Sequence, residues 1–229
     1  MATIMLRGAA SWIGFVLLQQ LSLRGDTVIT DALSGEKQDW VGRNANIQMI
    51  NENEWDSRQL AAKATLLFYC TDDRKLLDLA FSKAANKQMQ VIGILHEKEW
   101  VPDLEEYASQ WICHPDLYGP WQPETHPLSK PFLTKNNSEE IPYAPRTSSI
   151  MYINDAVQWI VDHEERESHI QLVNQHNQTW KESLHCSFIQ AEDTRLDGFK
   201  KVQLQSQTTL TEGIEATEKW LQWIANQRK

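Results

Sequence analysis

Gly8, Ser11 and Gly14, followed further along the chain by Asp31, carry the chemistry that is most legible in this sequence. Residues spaced this way between a strand and a helix turn backbone N–H groups outward at a helix start, where the positive end of the helix dipole favours an anion. Gly8 permits a tight turn out of the strand, and Gly14 lets the helix pack close to the sheet. An acid about 20 residues on is placed to accept hydrogen bonds from a ribose. Ser11 stands where a glycine ordinarily lets backbone approach phosphate, so its side chain either obstructs a pyrophosphate or offers it a hydroxyl. The implied chemistry is the binding of a dinucleotide through its phosphates.

The elements that must position these residues can be read on either side. Thr3-Ile4-Met5-Leu6 is a short apolar run of strand character, and Phe15 to Leu21 has the apolar spacing of a helix facing a sheet. Gly25 stops that helix. Thr27 to Thr30 is the next strand, with Asp31 at its end, so strand, glycine turn, helix, strand and acid follow in order. Ile47 to Ile50 alternates as a third strand, and Glu54 to Ala64 reads as a polar helical connection. Leu66 to Thr71 is a continuous apolar run of the kind found in a central parallel strand. Arg74 to Lys87 is expected to be a helix, Val91 to Leu95 the next strand and Trp111 to Cys113 the sixth. This alternation predicts an α/β chain built on a doubly wound parallel sheet.

The same residues resemble the extended short-chain dehydrogenase/reductases of the NAD-dependent epimerase/dehydratase type. The opening motif of that family, G-x-x-G-x-x-G, ends in an aromatic residue, an isoleucine and a glycine, as Trp12-Ile13-Gly14 does. Asp31-Ala32-Leu33-Ser34-Gly35 is similar to its acidic stretch after the second strand. Asp116-Leu117-Tyr118-Gly119-Pro120 resembles its Asn-x-Tyr-Gly-Pro turn, which lies beside cofactor and substrate. Ile150 to Asp155 resembles a strand leading into an acidic pair, and a helix from Ala156 to Glu165 follows. The resemblance covers Thr3 to about Trp223 and implies a Rossmann-like core at 1–165, an inserted loop region at 119–146 and a reduced substrate lobe at 166–229. It implies an NAD(P) cofactor held by Gly8, Ser11, Trp12, Ile13, Gly14 and Asp31, with Cys70 and Thr71 at the end of the fourth strand. A nucleotide-sugar ligand is implied near Asp116 and Tyr118. Asp31 favours NAD over NADP, since its charge repels a 2′-phosphate. Ser11 leaves weakened or lost binding as the other outcome.

The catalytic signature of the family is Tyr-x-x-x-Lys on a helix, where one turn brings the phenol and the ammonium to the same face. The tyrosines here are Tyr69, Tyr107, Tyr118, Tyr143 and Tyr152, and four residues after them stand Asp73, Trp111, Gln122, Thr147 and Ala156. No Tyr-x-x-x-Lys exists. Only 14 residues, Glu97 to Gln110, separate His96 from the sixth strand, room for a short helix at most. Tyr107, Tyr118 and His96 remain as candidate acids. The carboxylates of Glu105 and Glu106 beside Tyr107 favour its neutral phenol, the opposite of what a base near pH 7 needs. Losing a positioned acid/base typically costs about 10²- to 10⁴-fold in rate. Three readings follow: a nucleotide-binding protein without the standard chemistry, an active oxidoreductase or epimerase with a substitute acid, and a cofactor-free interaction protein on the same scaffold.

Composition bounds the remaining choices. A net charge of −9 argues against nucleic acid and anionic membranes as partners. Cys70, Cys113 and Cys186 contain no CxxC pair and suit a reducing compartment, with neither a disulfide framework nor a zinc site. Arg7 followed by Gly8 to Leu18 mimics a signal peptide but has no small-residue cleavage site after it, so a cytoplasmic location is expected. His163, Glu164, Glu165 and His169 read as a solvated helix end, with no metal. Trp159, Trp180, Trp220 and Trp223 read as buried aromatics, and His126 as a surface residue. Asn154 or Asp155 reads as a helix N-cap. Ile214, Thr217, Leu221 and Ile224 mark the inward face of a last helix reaching Trp223.

Overall fold

The computed structural model describes residues 2–51, 66–69, 90–126, 129, 146–147, 149–163, 168–174 and 194–227. The early strands and helices are β1 (Thr3–Arg7), α1 (Trp12–Arg24), β2 (Thr27–Asp31), α2 (Gly35–Val41), β3 (Ile47–Ile50), β4 (Leu66–Tyr69) and β5 (Gln90–His96). A 3₁₀ turn at Pro102–Tyr107 leads to β6 (Gln110–His114) and β7 (Asp116–Tyr118). Then come β8 (Ile150–Tyr152), α3 (Ile153–Asp162), β9 (Ile170–Asn174), β10 (Lys200–Leu204) and α4 (Leu210–Gln227). The expected connection at Glu54 to Ala64 and helix at Arg74 to Lys87 lie outside the described residues, as do Cys70 and Thr71. No helix among the described residues is long and apolar enough to cross a membrane.

By contacts the chain divides into two compact units: Met1–Leu95 with Glu99–Cys113 and Val157–Ile170, and His96–Lys98 with His114–Ala156 and Gln171–Lys229. In the first unit the strands neighbour one another in the order β3-β2-β1-β4-β5-β6. The pairs β1–β2, β2–β3, β1–β4 and β4–β5 are parallel, with Ile4 opposite both Val28 and Leu66. This is the strand order of a Rossmann-like doubly wound sheet, and the order reverses beside β1, so a ligand crevice belongs at the carboxyl end of that strand. β1 ends at Arg7, and the turn carrying Gly8 begins there.

The first unit's core is made by β1 and α1. Ile4, Leu6, Phe15, Leu17, Leu18 and Leu21 are fully buried, each stabilising by about 1.5–3 kcal/mol. Ser11 caps the start of α1 with its side chain. Gly25 closes the other end at φ 88°, its N–H reaching the carbonyls of Leu21 and Ser22, a left-handed stop that favours glycine. Trp111 is fully buried and donates its indole N–H to Leu104 O at 2.8 Å, fastening the 3₁₀ turn to β6. Gly93 makes room for that indole, because a Cβ there would stand 2.1 Å from Trp111 Cζ3. The predicted short helical segment between His96 and Trp111 is this 3₁₀ turn.

In the second unit β7 and β8 form a parallel two-stranded sheet with Tyr118 opposite Tyr152, and β9 neighbours β10. Tyr118, Ile150, Tyr152 and Leu221 make its apolar cluster, with Leu210, Ile214 and Trp220 against it. A capping box starts α4: Glu212 accepts from Thr209 N at 2.9 Å, and Thr209 Oγ1 accepts from Glu212 N at 3.3 Å.

Three local expectations are corrected. Asp116 to Tyr118 is strand, because its backbone pairs with β8, and the turn starts only at Gly119. α3 begins at Ile153, so Asn154 and Asp155 stand inside its first turn; Asp155 instead accepts from the hydroxyls of Ser206 and Thr208 and from Thr208 N. α4 runs past Trp223 to Gln227, and Trp223 is 41% exposed, stacked on Trp220 at its outer edge.

The Gly93–Trp111 contact generates a stability prediction. Gly93→Ala forces methyl against a fully buried indole, and such overpacking typically costs about 1–3 kcal/mol. A lowered thermal midpoint is expected, and an unchanged one would contradict the packing.

Candidate functional site

The turn from Gly8 to Gly14 is held from within. Gly8 has φ 84°, a left-handed conformation that glycine adopts without strain. Ser11 N donates to Gly8 O at 2.9 Å, and the Ser11 hydroxyl donates to the same carbonyl at 2.7 Å. That hydroxyl also accepts from Gly14 N at 3.1 Å. A Cβ on Gly14 would lie 2.1 Å from Gly8 O, so the helix start comes this close to the turn only with glycine. The Ser11 oxygen is engaged inside the turn, as an N-cap. Trp12 and Ile13 supply the first turn of α1, where backbone N–H groups have no partner within the helix.

Two charged side chains grip the same turn, and a third stands beneath it. Asp31, at the end of β2, accepts from Gly8 N at 2.6 Å through Oδ2. Its Oδ1 lies 3.3 Å from the guanidinium of Arg7, whose side chain is 6% exposed against 23% for Asp31. From α2, Lys37 donates through Nζ to Ala10 O at 2.6 Å and Ser11 O at 3.2 Å. Its ammonium lies 5.2 Å from the centroid of the Phe15 ring, within cation–π range. Burial holds its pKa below the ordinary lysine value. Sequence reasoning missed Arg7 and Lys37 as site residues. The signals were an arginine closing an otherwise apolar strand, and a lysine on the first helix after Asp31.

The second unit gathers a buried polar cluster at the end of β5. His96 Nε2 faces Asp116 Oδ1 at 3.1 Å, while His96 Nδ1 accepts from Lys98 N at 3.1 Å. The accepting Nδ1 carries no hydrogen, so Nε2–H donates to the carboxylate. Both ring nitrogens are then in use. Asp116 Oδ2 accepts from Thr147 N at 3.0 Å, and Asp116 N donates to Thr147 Oγ1 at 2.9 Å. His114, edge-on to His96 with ring centroids 5.6 Å apart, donates from Nδ1 to Pro115 O at 2.8 Å. Burial, reinforced by His96, pushes His114 down to about 3, and burial pushes His126 down to about 4. His126 is thus partly enclosed, not the open surface residue expected.

The structure brings His96 and Asp116 together, and it places the two candidate tyrosines elsewhere. Tyr118 is 1% exposed, its ring packed on Tyr152, with Gly213 of α4 so close that a Cβ there would stand 2.7 Å from the phenol oxygen. Burial first, then Asp155, raises its pKa, which suits a neutral phenol and not a proton-accepting phenolate. Tyr107 closes the 3₁₀ turn of the first unit, a turn that also contains Asp103, Glu105 and Glu106. His163 donates to Trp159 O at 2.8 Å and His169 accepts from Trp111 N at 3.1 Å. Among the described residues, no three His, Cys, Asp or Glu side chains group to hold a metal ion.

No family model matches the sequence, and no curated protein matches it. Many solved structures share the fold. A UDP-glucuronic acid 4-epimerase from Bacillus cereus in complex with NAD aligns with TM-score 0.71 and 13% identity over 97% of this chain and 99% of its own. A dTDP-glucose 4,6-dehydratase from Bacillus anthracis in complex with NAD gives 0.72 and 10% over 100% and 98%. A UDP-glucose 4-epimerase with UDP-glucose from Thermotoga maritima gives 0.66 and 14% over 97% and 99%. At these identities the likeness is one of fold: a Rossmann-like α/β chain of the epimerase/dehydratase architecture.

The cluster around Asp116 predicts acid sensitivity. Folded His114 stays neutral down to about 3, whereas an unfolded histidine takes a proton near 6.5. The unfolded chain therefore binds more protons between those values, and stability that is complete above pH 6.5 is lost as pH falls towards 3. Thermal midpoints should drop between pH 7 and 5.5, before carboxylates titrate, and His114→Asn should flatten that slope. A flat wild-type profile would refute it.

Proposed function

We propose that the protein binds a nicotinamide dinucleotide at the Gly8–Gly14 turn and acts by binding or sensing, without the proton transfer that a Tyr-x-x-x-Lys pair provides. The single observation that carries this reading is the turn itself: glycine at φ 84° at its entry, and at its exit a glycine whose Cβ would collide with Gly8 O. Such closeness serves a helix start brought up to phosphate. The Ser11 oxygen is turned into the loop, which fits a pyrophosphate against the α1 N-terminus. Asp31 stands at the end of β2, where an acid is placed to meet an adenosine ribose. Gly8, Ser11, Trp12, Ile13, Gly14 and Asp31 would hold the adenosine and phosphate portion. A bound nicotinamide supplies hydride transfer; the chain's own part is to bind and orient it.

The catalytic side supports binding over turnover. His96 has both nitrogens engaged, and Tyr118 lies inside an apolar cluster. The nucleotide sugar seen with the Thermotoga maritima epimerase gives the class of second ligand we propose for this chain.

Quenching of tryptophan fluorescence during titration with NADH tests the reading, with Trp12 inside the turn as reporter. Saturable binding is expected, with at least a tenfold loss in Gly14→Ala; no response at millimolar NADH would sink it. Nucleotide sugars incubated with NAD should show no turnover. Turnover that disappears in Tyr107→Phe would establish the enzyme reading instead.

A further inference from the structure

We infer that Lys37 is a positioning residue of the dinucleotide site, one that holds the Gly8–Gly14 turn from its carbonyl side so that the opposite side can meet phosphate. This rests on the dinucleotide reading above and names a residue that sets the affinity of that site.

The contacts of Lys37 run between α2 and the turn. Nζ donates to Ala10 O at 2.6 Å and to Ser11 O at 3.2 Å. Bonds from a charged donor are roughly twice as strong as neutral ones. In a trans peptide unit the carbonyl and the following N–H point in opposite directions. With the carbonyls of Ala10 and Ser11 drawn to Nζ, the N–H groups of Ser11 and Trp12 are turned away from the ammonium. The first of these is used inside the turn, on Gly8 O at 2.9 Å. The second belongs to the first turn of α1, where a helix offers its N–H groups to an anion. Ser11 O also accepts from Phe15 N at 3.1 Å, so the ammonium holds the helix at its first carbonyl. Lys37 thus stands on the far side of these peptide units from the phosphate they would bind.

The clamp is seated on the core. Lys37 and Trp40, three residues apart and so on one face of α2, both meet Phe15. Nζ lies 5.2 Å from the Phe15 ring centroid, and the Trp40 and Phe15 rings stand edge-on with centroids 5.7 Å apart. Phe15 is fully buried in α1. Burial lowers the pKa of Lys37, so the ammonium has exchanged water for two carbonyls and a ring face.

Calorimetric titration with NADH and amide hydrogen exchange, both on the full chain, test this together. Lys37→Met keeps the reach of the side chain and removes its donors, whereas Lys37→Arg keeps charge and donors. Lys37→Met should bind NADH about tenfold more weakly, equivalent to about 1.4 kcal/mol. In the same variant without ligand, the amides of Ser11 and Phe15 should exchange about tenfold faster, because the turn opens more often. Lys37→Arg should restore both to within about threefold of the wild type. Lys37→Gln gives the same two readouts where Lys37→Met does not fold. Weaker NADH binding with unchanged exchange would mean that Lys37 touches the ligand itself. Faster exchange with unchanged affinity would mean that it serves structure alone. Either result, or no recovery in Lys37→Arg, overturns the inference and leaves dinucleotide binding intact. Failure of NADH to bind the wild type would remove the dinucleotide reading, and this inference with it.

Discussion

The hydrogen bond from Gly8 N–H to the Asp31 carboxylate ties the exit of β1 to the exit of β2, and the rest of the site depends on it. Gly8 leaves its strand in a left-handed conformation, and its N–H is donated to Asp31. A backbone donor left without a partner there would cost free energy comparable to a lost hydrogen bond. Asp31 removes that cost, at 2.6 Å, and a charged acceptor makes the bond stronger than a neutral one. The carboxylate in turn is accommodated by Arg7. Once Gly8 is fixed, its carbonyl is fixed too, and that carbonyl receives both Ser11 N and the Ser11 hydroxyl. The start of α1 is thereby positioned from β2, through one side chain.

The short stretch between His96 and Trp111 is held by packing. The indole of Trp111 fills the space over Gly93 and receives the 3₁₀ turn through Leu104 O. At the end of β5, His96, Asp116, His114 and Thr147 satisfy one another or nearby backbone. A fully satisfied buried network stiffens its surroundings, whereas a half-satisfied one is costly.

What the sequence made legible follows from how local the physics was. The run Thr3–Asp31 was readable because strand, turn, helix and cap each obey short-range rules, and β1, α1 and β2 stand where those rules placed them. The strand at Trp111 and the short segment before it were readable for the same reason. The misreadings came from partners far apart in sequence. Asp155 resembles an N-cap until Ser206 and Thr208, more than 50 residues on, are seen to use its oxygens. Asp116 resembles a turn residue until β8 pairs with it. Arg7 and Lys37 were missed as residues of the turn because each acts through backbone or charge contacts across 24 to 27 positions, with only a weak local signal.

Ser11 shows how such a turn is held with a serine at its middle. An N-cap serine typically stabilises its helix by about 0.5–2 kcal/mol relative to alanine, and here the same oxygen also serves Gly8 O. Lys37 covers the carbonyls of Ala10 and Ser11. The carbonyls of Gly8, Ala10 and Ser11 and the N–H of Gly14 are thus satisfied by the chain itself. A turn built in this way folds without help from a ligand, and its shape is held by contacts that a cofactor does not have to make. A serine at the centre thus caps the first helix while holding the turn together.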